Sequence, residues 1–235
     1  TITLSDHALI PGLINLHTHA AMTLMRGLAD DLPLMEWLNK HIWPIENRHV
    51  DAQFVSDGTQ LACAEMIKGG ITCFNDMYFF PESCVEAAIS SGIRAAIGMI
   101  VIDFPTAYAS DADDYLTKGL ELRDRYHQHP LLSFCFAPHA PYTVSDKTFN
   151  SILTYAEQLN TPIHTHLHET RDEIRMNLES TGIRPIERLH QLGLLNPNLI
   201  AVHMVHLTDH EIKLMHQYGC SVAHCPSSNM KLASG

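Results

Sequence analysis

Short apolar segments recur along this chain of 235 residues, and longer amphipathic segments separate them. Their residues are apolar at consecutive positions, which is typical of strands covered on both faces. Regular alternation of such strands with helices predicts one α/β domain with a parallel sheet. The predicted strands are Leu9–Leu16, Ile71–Met77, Ala95–Ile102, Leu131–Ala137, Pro162–Leu167, Leu199–Val205 and Cys220–His224.

Several of the intervening segments predict helices, because apolar residues at helical spacing lead up to a glycine or another terminating residue. These segments are Asp51–Lys68, Glu82–Ser91, Asp146–Leu159, and a segment that starts at Thr208 and ends at Gly219. A closed barrel of eight strand–helix units needs ~250 residues. Seven predicted strands therefore indicate a TIM-type barrel that lacks one of its eight strands.

Charge and hydropathy exclude several classes of partner. The formal net charge of −11 argues against a nucleic-acid backbone or an anionic lipid surface. The longest apolar stretch, Ala95–Ile102, is far shorter than the ~18 residues that cross a bilayer. Six cysteines without a C-x-x-C pair predict reduced thiols, and hence a cytoplasmic protein. A small molecule remains as the expected ligand, with no nucleic acid and no membrane partner.

Histidine accounts for 17 of the residues, and many of these lie where a predicted strand ends. In a barrel the carboxyl ends of all strands form one rim, where catalytic groups collect. Imidazole is the commonest protein ligand of transition metals, so this convergence predicts a metal site. The histidines concerned are His17, His19, His139, His164, His166, His168, His203, His206 and His224.

Two motifs carry most of this prediction. His17 and His19 lie two positions apart at the end of the first strand and therefore face the same side. The segment His164–Glu169 places three histidines on one face, and periodicity does not choose the ligand among them. Glu169 follows directly and is a candidate proton shuttle. Its alternative role is that of an acidic residue at a helix amino terminus.

Other strand ends offer weaker signals. His139 lies in Pro138–Tyr142, where a hydrogen bond within a rigid turn is the alternative to a functional role. One of His203 and His206 is expected in the site, and the other is expected to be structural. The segment His224–Asn229 offers polar groups, although packing and turn formation account for it equally well.

Three of these segments together resemble the amidohydrolase superfamily. Pro11–His19 resembles its metal motif on the first strand, His166–Glu169 resembles the H-x-x-E of the fifth, and His203–His206 resembles the sixth. The resemblance covers the whole chain. Within the superfamily it is strongest to deaminases of 5′-methylthioadenosine and S-adenosylhomocysteine, which are related to triazine chlorohydrolases.

The resemblance implies a distorted (β/α)8 barrel beside a small β-sandwich, in a homo-oligomer. It divides this chain into residues 1–8, a remnant of the sandwich, and residues 9–235, an incomplete metal-dependent hydrolase barrel. In the family the eighth strand supplies an aspartate that completes the metal shell. Neither that strand nor most of the sandwich is expected in this sequence.

The resemblance also implies a reaction and a site. The reaction is hydrolytic deamination of a small purine nucleoside, namely an adenine nucleoside, to the inosine analogue and ammonia, with one Zn²⁺ per subunit and with iron or manganese as alternatives. The metal ligands would be His17, His19 and His166. Glu169 would transfer protons, and His203 would hold the attacking oxygen or stabilise the developing charge.

The nucleoside would be held by Trp37, Glu46 and His139, with Glu46 accepting hydrogen bonds from the ribose hydroxyls. Without the resemblance, Trp37 and Glu46 fit an exposed amphipathic helix. Arg94 and Arg123 match the arginines that bind a homocysteine carboxylate by position only.

Two further functions stay open at this stage. One is dechlorination or deamination of an s-triazine or guanine-type ring by the same metal, against which a ribose-binding glutamate argues. The other is a catalytically incomplete metal-binding module, against which the proton shuttle Glu169 argues.

Overall fold

A computed structural model describes residues 6–235 and contains one parallel sheet of seven strands in sequence order. The sheet curves into a nearly closed barrel with helices around it, so all carboxyl ends meet at one rim. The predicted fold class is therefore confirmed. The strands are β1 (Leu13–Thr18), β2 (Ile71–Asp76), β3 (Arg94–Val101), β4 (Leu132–Pro138), β5 (Ile163–Leu167), β6 (Leu199–His203) and β7 (Ser221–Ala223).

The helices fill the segments between the strands. A 3₁₀-helix (Ala20–Met25) follows β1, and a π-helical turn (Leu38–Ile42) joins α1 to α2. The α-helices are α1 (Leu34–Trp37), α2 (Trp43–His49), α3 (Ala52–Lys68), α4 (Pro81–Ser91), α5 (Ala112–Tyr126), α6 (Asp146–Leu159), α7 (Arg171–Thr181), α8 (Pro185–Gln191), α9 (Asp209–Gln217) and α10 (Pro226–Lys231).

The four predicted helices correspond to α3, α4, α6 and α9, and local caps fix where they start. The Asp51 carboxylate accepts from the backbone N–H of Phe54 at the start of α3. Thr208 and Glu211 form a reciprocal capping box at the start of α9. Gly92, with φ of 69°, ends α4 in the left-handed conformation that glycine adopts without strain.

Two strands differ from the prediction by more than one residue at an end, and the other five by no more than one. The first strand begins at Leu13 and not at Leu9, because Pro11 lacks the N–H that a paired strand residue donates. The sixth strand stops at His203 and not at Val205, because His203 and Met204 have φ of 76° and 51°. The chain therefore turns sharply at the rim just where a candidate site histidine lies.

A small second core anchors the segment between β1 and α3. It contains Ala21, Leu38, Ile42 and Val55, and Trp37 packs against it. The main core lies between the strands and the other helices. Burying these apolar side chains fixes residues 20–50 over the rim, where Trp37 and Glu46 can reach the site.

Gly58 lets α3 approach the 3₁₀-helix. A Cβ at this position would lie 2.4 Å from the carbonyl oxygen of Ala21, which is backbone and cannot yield freely. In an exposed helix Gly→Ala stabilises by about 1 kcal/mol. Here we expect Gly58→Ala to lower the free energy of unfolding by about 1–3 kcal/mol, measured by urea denaturation. The exposed Gln60→Ala in the same helix is the control, and equal stabilities would contradict the close approach.

Residues 1–5 of the predicted sandwich remnant lie outside the described residues, and residues 6–8 form neither helix nor strand. The six cysteines are free thiols. Among residues 6–235, no helix is long and apolar enough to cross a membrane.

Candidate functional site

Three histidines from three strands meet at the rim. His17 comes from β1, His166 from β5 and His203 from the end of β6. One ring nitrogen of each lies within 4.8 Å of the other two. The Nε2 atoms of His17 and His166 are only 3.0 Å apart, close enough for one ion to contact both.

His19, the other predicted ligand of β1, lies beside this group. Its ring centroid is 4.8 Å from that of His17 and 5.2 Å from that of His166. Its Nδ1 donates to the carbonyl oxygen of Met77 at 2.6 Å, which leaves Nε2 as the free nitrogen. The structure thus places His17 and His166 within the three-histidine group, with His203 as its third member and His19 adjacent.

Backbone and amide acceptors fix the orientation of two of the grouped rings. Nδ1 of His166 donates to the carbonyl oxygen of His139 at 2.7 Å, and Nδ1 of His203 donates to Oδ1 of Asn229 at 2.8 Å. Each bond leaves Nε2 unprotonated in the neutral ring. This arrangement is the one found in metal-ligating histidines.

The surroundings keep these rings uncharged. Burial, reinforced by the neighbouring imidazoles, lowers the pKa of His17 and His166 well below the usual range. Burial lowers the pKa of His203 to about 4. Neutral imidazole is the form that binds a metal ion, and nitrogen donors suit zinc or a similar transition metal. The residues present therefore fit a divalent metal.

Glu169 follows β5 directly and is buried beside the histidines. Its Oε1 lies 3.3 Å from Nε2 of His203. Burial, assisted by the nearby carboxyl of Glu173, raises the pKa of Glu169 to about 8. A carboxyl group that is protonated at neutral pH can act as a general acid.

The loop that carries Glu169 is braced by a second acidic residue. Glu173, in the first turn of α7, accepts the backbone N–H groups of His168 and Glu169 at 2.8 and 2.7 Å. His168 has φ of 54°, so these bonds hold a turn that a non-glycine residue seldom adopts. The start of α7 is itself capped by Thr170, whose side chain accepts from the backbone N–H of Glu173.

The other histidines of the segments His164–Glu169 and His203–His206 lie outside the three-histidine group. His168 is fully buried, donates from Nδ1 to the carbonyl oxygen of His206, and accepts at Nε2 from the N–H of Ile186. His206 is only partly buried and lies outside the three-histidine group. His164 is fully buried below the rim.

A cavity of about 430 Å³ opens beside the three-histidine group. Its walls include the three predicted substrate residues, Trp37, Glu46 and His139, together with several aromatic side chains. Glu46 is 9% exposed, contrary to the exposed helix that its local pattern suggests. Among residues 6–235 no arginine lines the cavity, and neither Arg94 nor Arg123 reaches it.

Two of these substrate residues are fixed by hydrogen bonds. The hydroxyl of Tyr78 donates to Oε1 of Glu46 at 2.7 Å. His139 Nδ1 donates to Oγ1 of Thr143 at 3.0 Å, and that hydroxyl donates onward to the carbonyl oxygen of Ala140. Nε2 of His139 is therefore left as an acceptor.

Sequence reasoning did not single out Tyr78, Glu173 or Asn229. Tyr78 and Glu173 carry no motif that distinguishes them. Asn229 lies in the segment His224–Asn229, whose polar groups gave a signal that turn formation explained equally well. The bond from His203 to Asn229 spans 26 positions, so only the fold reveals it.

Comparison with known proteins places the chain in a family. The model of the amidohydrolase family matches residues 8–235. A 5-methylthioadenosine/S-adenosylhomocysteine deaminase of Saccharophagus degradans is 53% identical over 234 residues, which are 100% of this chain and 52% of that protein. A 5′-deoxyadenosine deaminase of Methanococcus maripaludis is 46% identical over 229 residues, covering 97% of this chain and 54% of that protein.

A solved structure gives the same result. The crystal structure of an adenosine deaminase from Xanthomonas campestris with bound zinc superposes with a TM-score of 0.93 at 52% identity, covering 96% of this chain and 51% of that one. The chain thus spans about half the length of the curated relatives that it matches. The match over residues 8–235, together with this identity, shows that the chain belongs to the amidohydrolase family.

Proposed function

We propose that this chain forms the catalytic part of an enzyme that deaminates an adenine nucleoside by hydrolysis. The candidate substrates are 5′-methylthioadenosine and S-adenosylhomocysteine, and the products are the inosine analogue and ammonia. The observation that carries the proposal is the position of Glu169, a buried carboxyl beside neutral histidine nitrogens at the edge of the cavity. The names of the relatives support the same reaction.

The donor set fits one zinc ion per subunit. His17, His19 and His166 would hold it, since the Nε2 atoms of His17 and His166 are close enough for one ion to contact both and Nε2 of His19 is free. Such an ion would supply Lewis acidity, which lowers the pKa of a water molecule towards ~7. His203 would hold the reacting oxygen, because Asn229 leaves its Nε2 unprotonated and turned towards Glu169.

Glu169 would move the protons. Its raised pKa keeps it protonated at neutral pH, so it can donate to N1 of the purine as water oxygen adds to C6. The proton that the water loses returns to the Glu169 carboxylate and is delivered to the amino group. The C6–N bond then breaks and ammonia leaves, and the proton of the C6 hydroxyl returns to Glu169, which gives the 6-oxo product and restores the protonated carboxyl.

The cavity wall would orient the nucleoside. His139 offers Nε2 as an acceptor towards the base. Tyr78 occupies Oε1 of Glu46 and leaves Oε2 for the ribose hydroxyls. Trp37 donates from Nε1 to the carbonyl oxygen of Leu28 at 3.2 Å, which fixes its ring in the wall.

The test is turnover by the whole protein loaded with zinc, followed as the absorbance change that accompanies conversion of adenine to hypoxanthine. We expect both nucleosides to be deaminated, and iron- or manganese-loaded protein serves as a comparison. A bare s-triazine and guanine are assayed in parallel. No turnover of any adenine nucleoside would refute the proposal, and turnover of the bare rings alone would favour the alternative enzyme.

The assignment of Glu46 gives a prediction about specificity. Glu46→Ala should raise the KM for the nucleoside roughly 10- to 100-fold, the loss expected for hydrogen bonds to a charged group. The KM for 9-methyladenine, which lacks ribose, should not change. Steady-state kinetics on both substrates measure this difference, and Glu36→Ala on the exposed surface is the control. Equal effects on both substrates would show that Glu46 does not contact ribose.

A further inference from the structure

His164 is a buried histidine that the proposed reaction does not use. It precedes His166 by two positions on β5, so it faces the barrel interior one layer below the rim. Its side chain is fully buried, and neither ring nitrogen has a hydrogen-bond partner. Buried polar groups without partners are rare in folded proteins, so each one requires an explanation.

In the neutral form of the His164 ring, one nitrogen is a donor and the other is an acceptor. The carbonyl oxygen of Leu16 lies near the ring but completes no hydrogen bond of ordinary geometry. If the ring donates weakly towards Leu16, its second nitrogen remains free to accept.

His17 also has a buried ring nitrogen without a hydrogen-bond partner. Its Nε2 faces His166, so its Nδ1 points away from the three-histidine group, and this atom is buried without a partner. The three neighbouring rings of the site all have an acceptor for Nδ1. These acceptors are the carbonyl oxygen of Met77 for His19, the carbonyl oxygen of His139 for His166, and Oδ1 of Asn229 for His203.

The rings that carry these unpartnered nitrogens, His17 and His164, lie next to each other. The ring centroids of His17 and His164 are 5.1 Å apart, with the planes tilted by 46°. His17 and His166, whose nitrogens lie 3.0 Å apart, have centroids separated by 4.7 Å. The rings of His17 and His164 are therefore neighbours at nearly the separation of the His17–His166 pair.

We propose that His164 is a positioning residue of the metal centre, which accepts the Nδ1–H of His17 and so holds His17 with Nε2 unprotonated towards the ion. This inference rests on the proposed metal site. Partners of this kind fix the tautomer and orientation of ligating histidines, and losing one typically costs 10–100-fold in metal affinity. The bond would also give partners to two buried groups at once.

The test measures zinc affinity of the whole protein by competition with a chromophoric chelator. His164→Leu keeps a similar apolar volume and removes the acceptor, so we expect its zinc dissociation constant to rise about 10- to 100-fold. His164→Gln restores an acceptor and should recover most of that loss. Thr165→Val, a buried change on the opposite face of β5, is the control and should bind zinc as the unmodified protein does.

A second readout needs no variant. In ¹⁵N-labelled, zinc-loaded protein, Nδ1 of His17 should carry a proton that exchanges slowly with water and shows scalar coupling to a His164 nitrogen. An unchanged zinc affinity in His164→Leu, or a His17 Nδ1 without such a coupling, would overturn the inference while leaving the deaminase proposal intact. Failure of the unmodified protein to bind zinc would overturn both.

Discussion

Replacing Glu169 by glutamine is expected to lower kcat for adenine nucleosides by about 10²- to 10⁴-fold, the usual contribution of a general acid or base. Glutamine has nearly the same shape but cannot transfer a proton. Because Glu169 is buried and its pKa is raised to about 8, the native side chain is uncharged at neutral pH. The neutral substitution should therefore leave the fold and zinc content unchanged.

The matched control is Glu179→Gln on α7, where the carboxylate is exposed and pairs with Arg175 on the surface. Its kcat should equal that of the unmodified protein. Single-turnover measurements of Glu169→Gln separate the chemical step from product release. Retention of a tenth or more of the native rate would show that another group moves the proton.

Removing the metal site should have the second large effect. Zinc that binds only the folded state stabilises it by about 4 kcal/mol at a thousandfold excess over the dissociation constant. For a domain of this size that amounts to a rise in Tm of roughly 10 °C. We expect zinc to raise the Tm of the unmodified protein and to leave that of His166→Ala unchanged, with loss of turnover.

His168→Ala provides the contrast from the same motif. The ring of His168 bonds to the carbonyl oxygen of His206 and the N–H of Ile186. Arg184 also donates to the His206 carbonyl oxygen, so His168→Ala leaves only the buried N–H of Ile186 without a partner among the described residues. We expect this loss to lower the free energy of unfolding by about 1–3 kcal/mol, and with it the Tm without zinc. The zinc-induced rise should persist. A zinc response that disappears in His168→Ala and survives in His166→Ala would reverse the assignment of the motif.

Local sequence patterns were sufficient to predict the sheet and the rim. Continuous apolar segments such as Ala95–Ile102 predicted the parallel strands, because a strand covered on both faces is mostly apolar at consecutive positions. Helical spacing of apolar residues up to a terminating residue predicted the helices that start at Asp51 and Thr208, and the caps that the structure shows there act over three residues. These signals depend on residues that are close in sequence, so they can be recognised without knowledge of the fold.

The functional assignment of Trp37 and Glu46 came from the resemblance and not from local pattern. Helical spacing alone indicates an exposed surface for this segment. The structure buries Glu46 against Tyr78, which is 32 positions away. Amphipathic periodicity shows which side chains lie on the same face of a helix. Whether that face is buried depends on which other segments of the chain pack against it.

The sequence by itself determined that histidines and one glutamate collect at the carboxyl rim of a parallel barrel, because strand period fixes the face on which each side chain lies. Only the tertiary structure decided that His166 belongs to the three-histidine group, that His164 lies beneath this group, and that His168 points away from it. It likewise supplied Asn229, Tyr78 and Glu173 as the groups that hold His203, Glu46 and the Glu169 loop. The physical reason is that depth in the barrel and long-range hydrogen bonding depend on the stagger of neighbouring strands, which no short segment encodes.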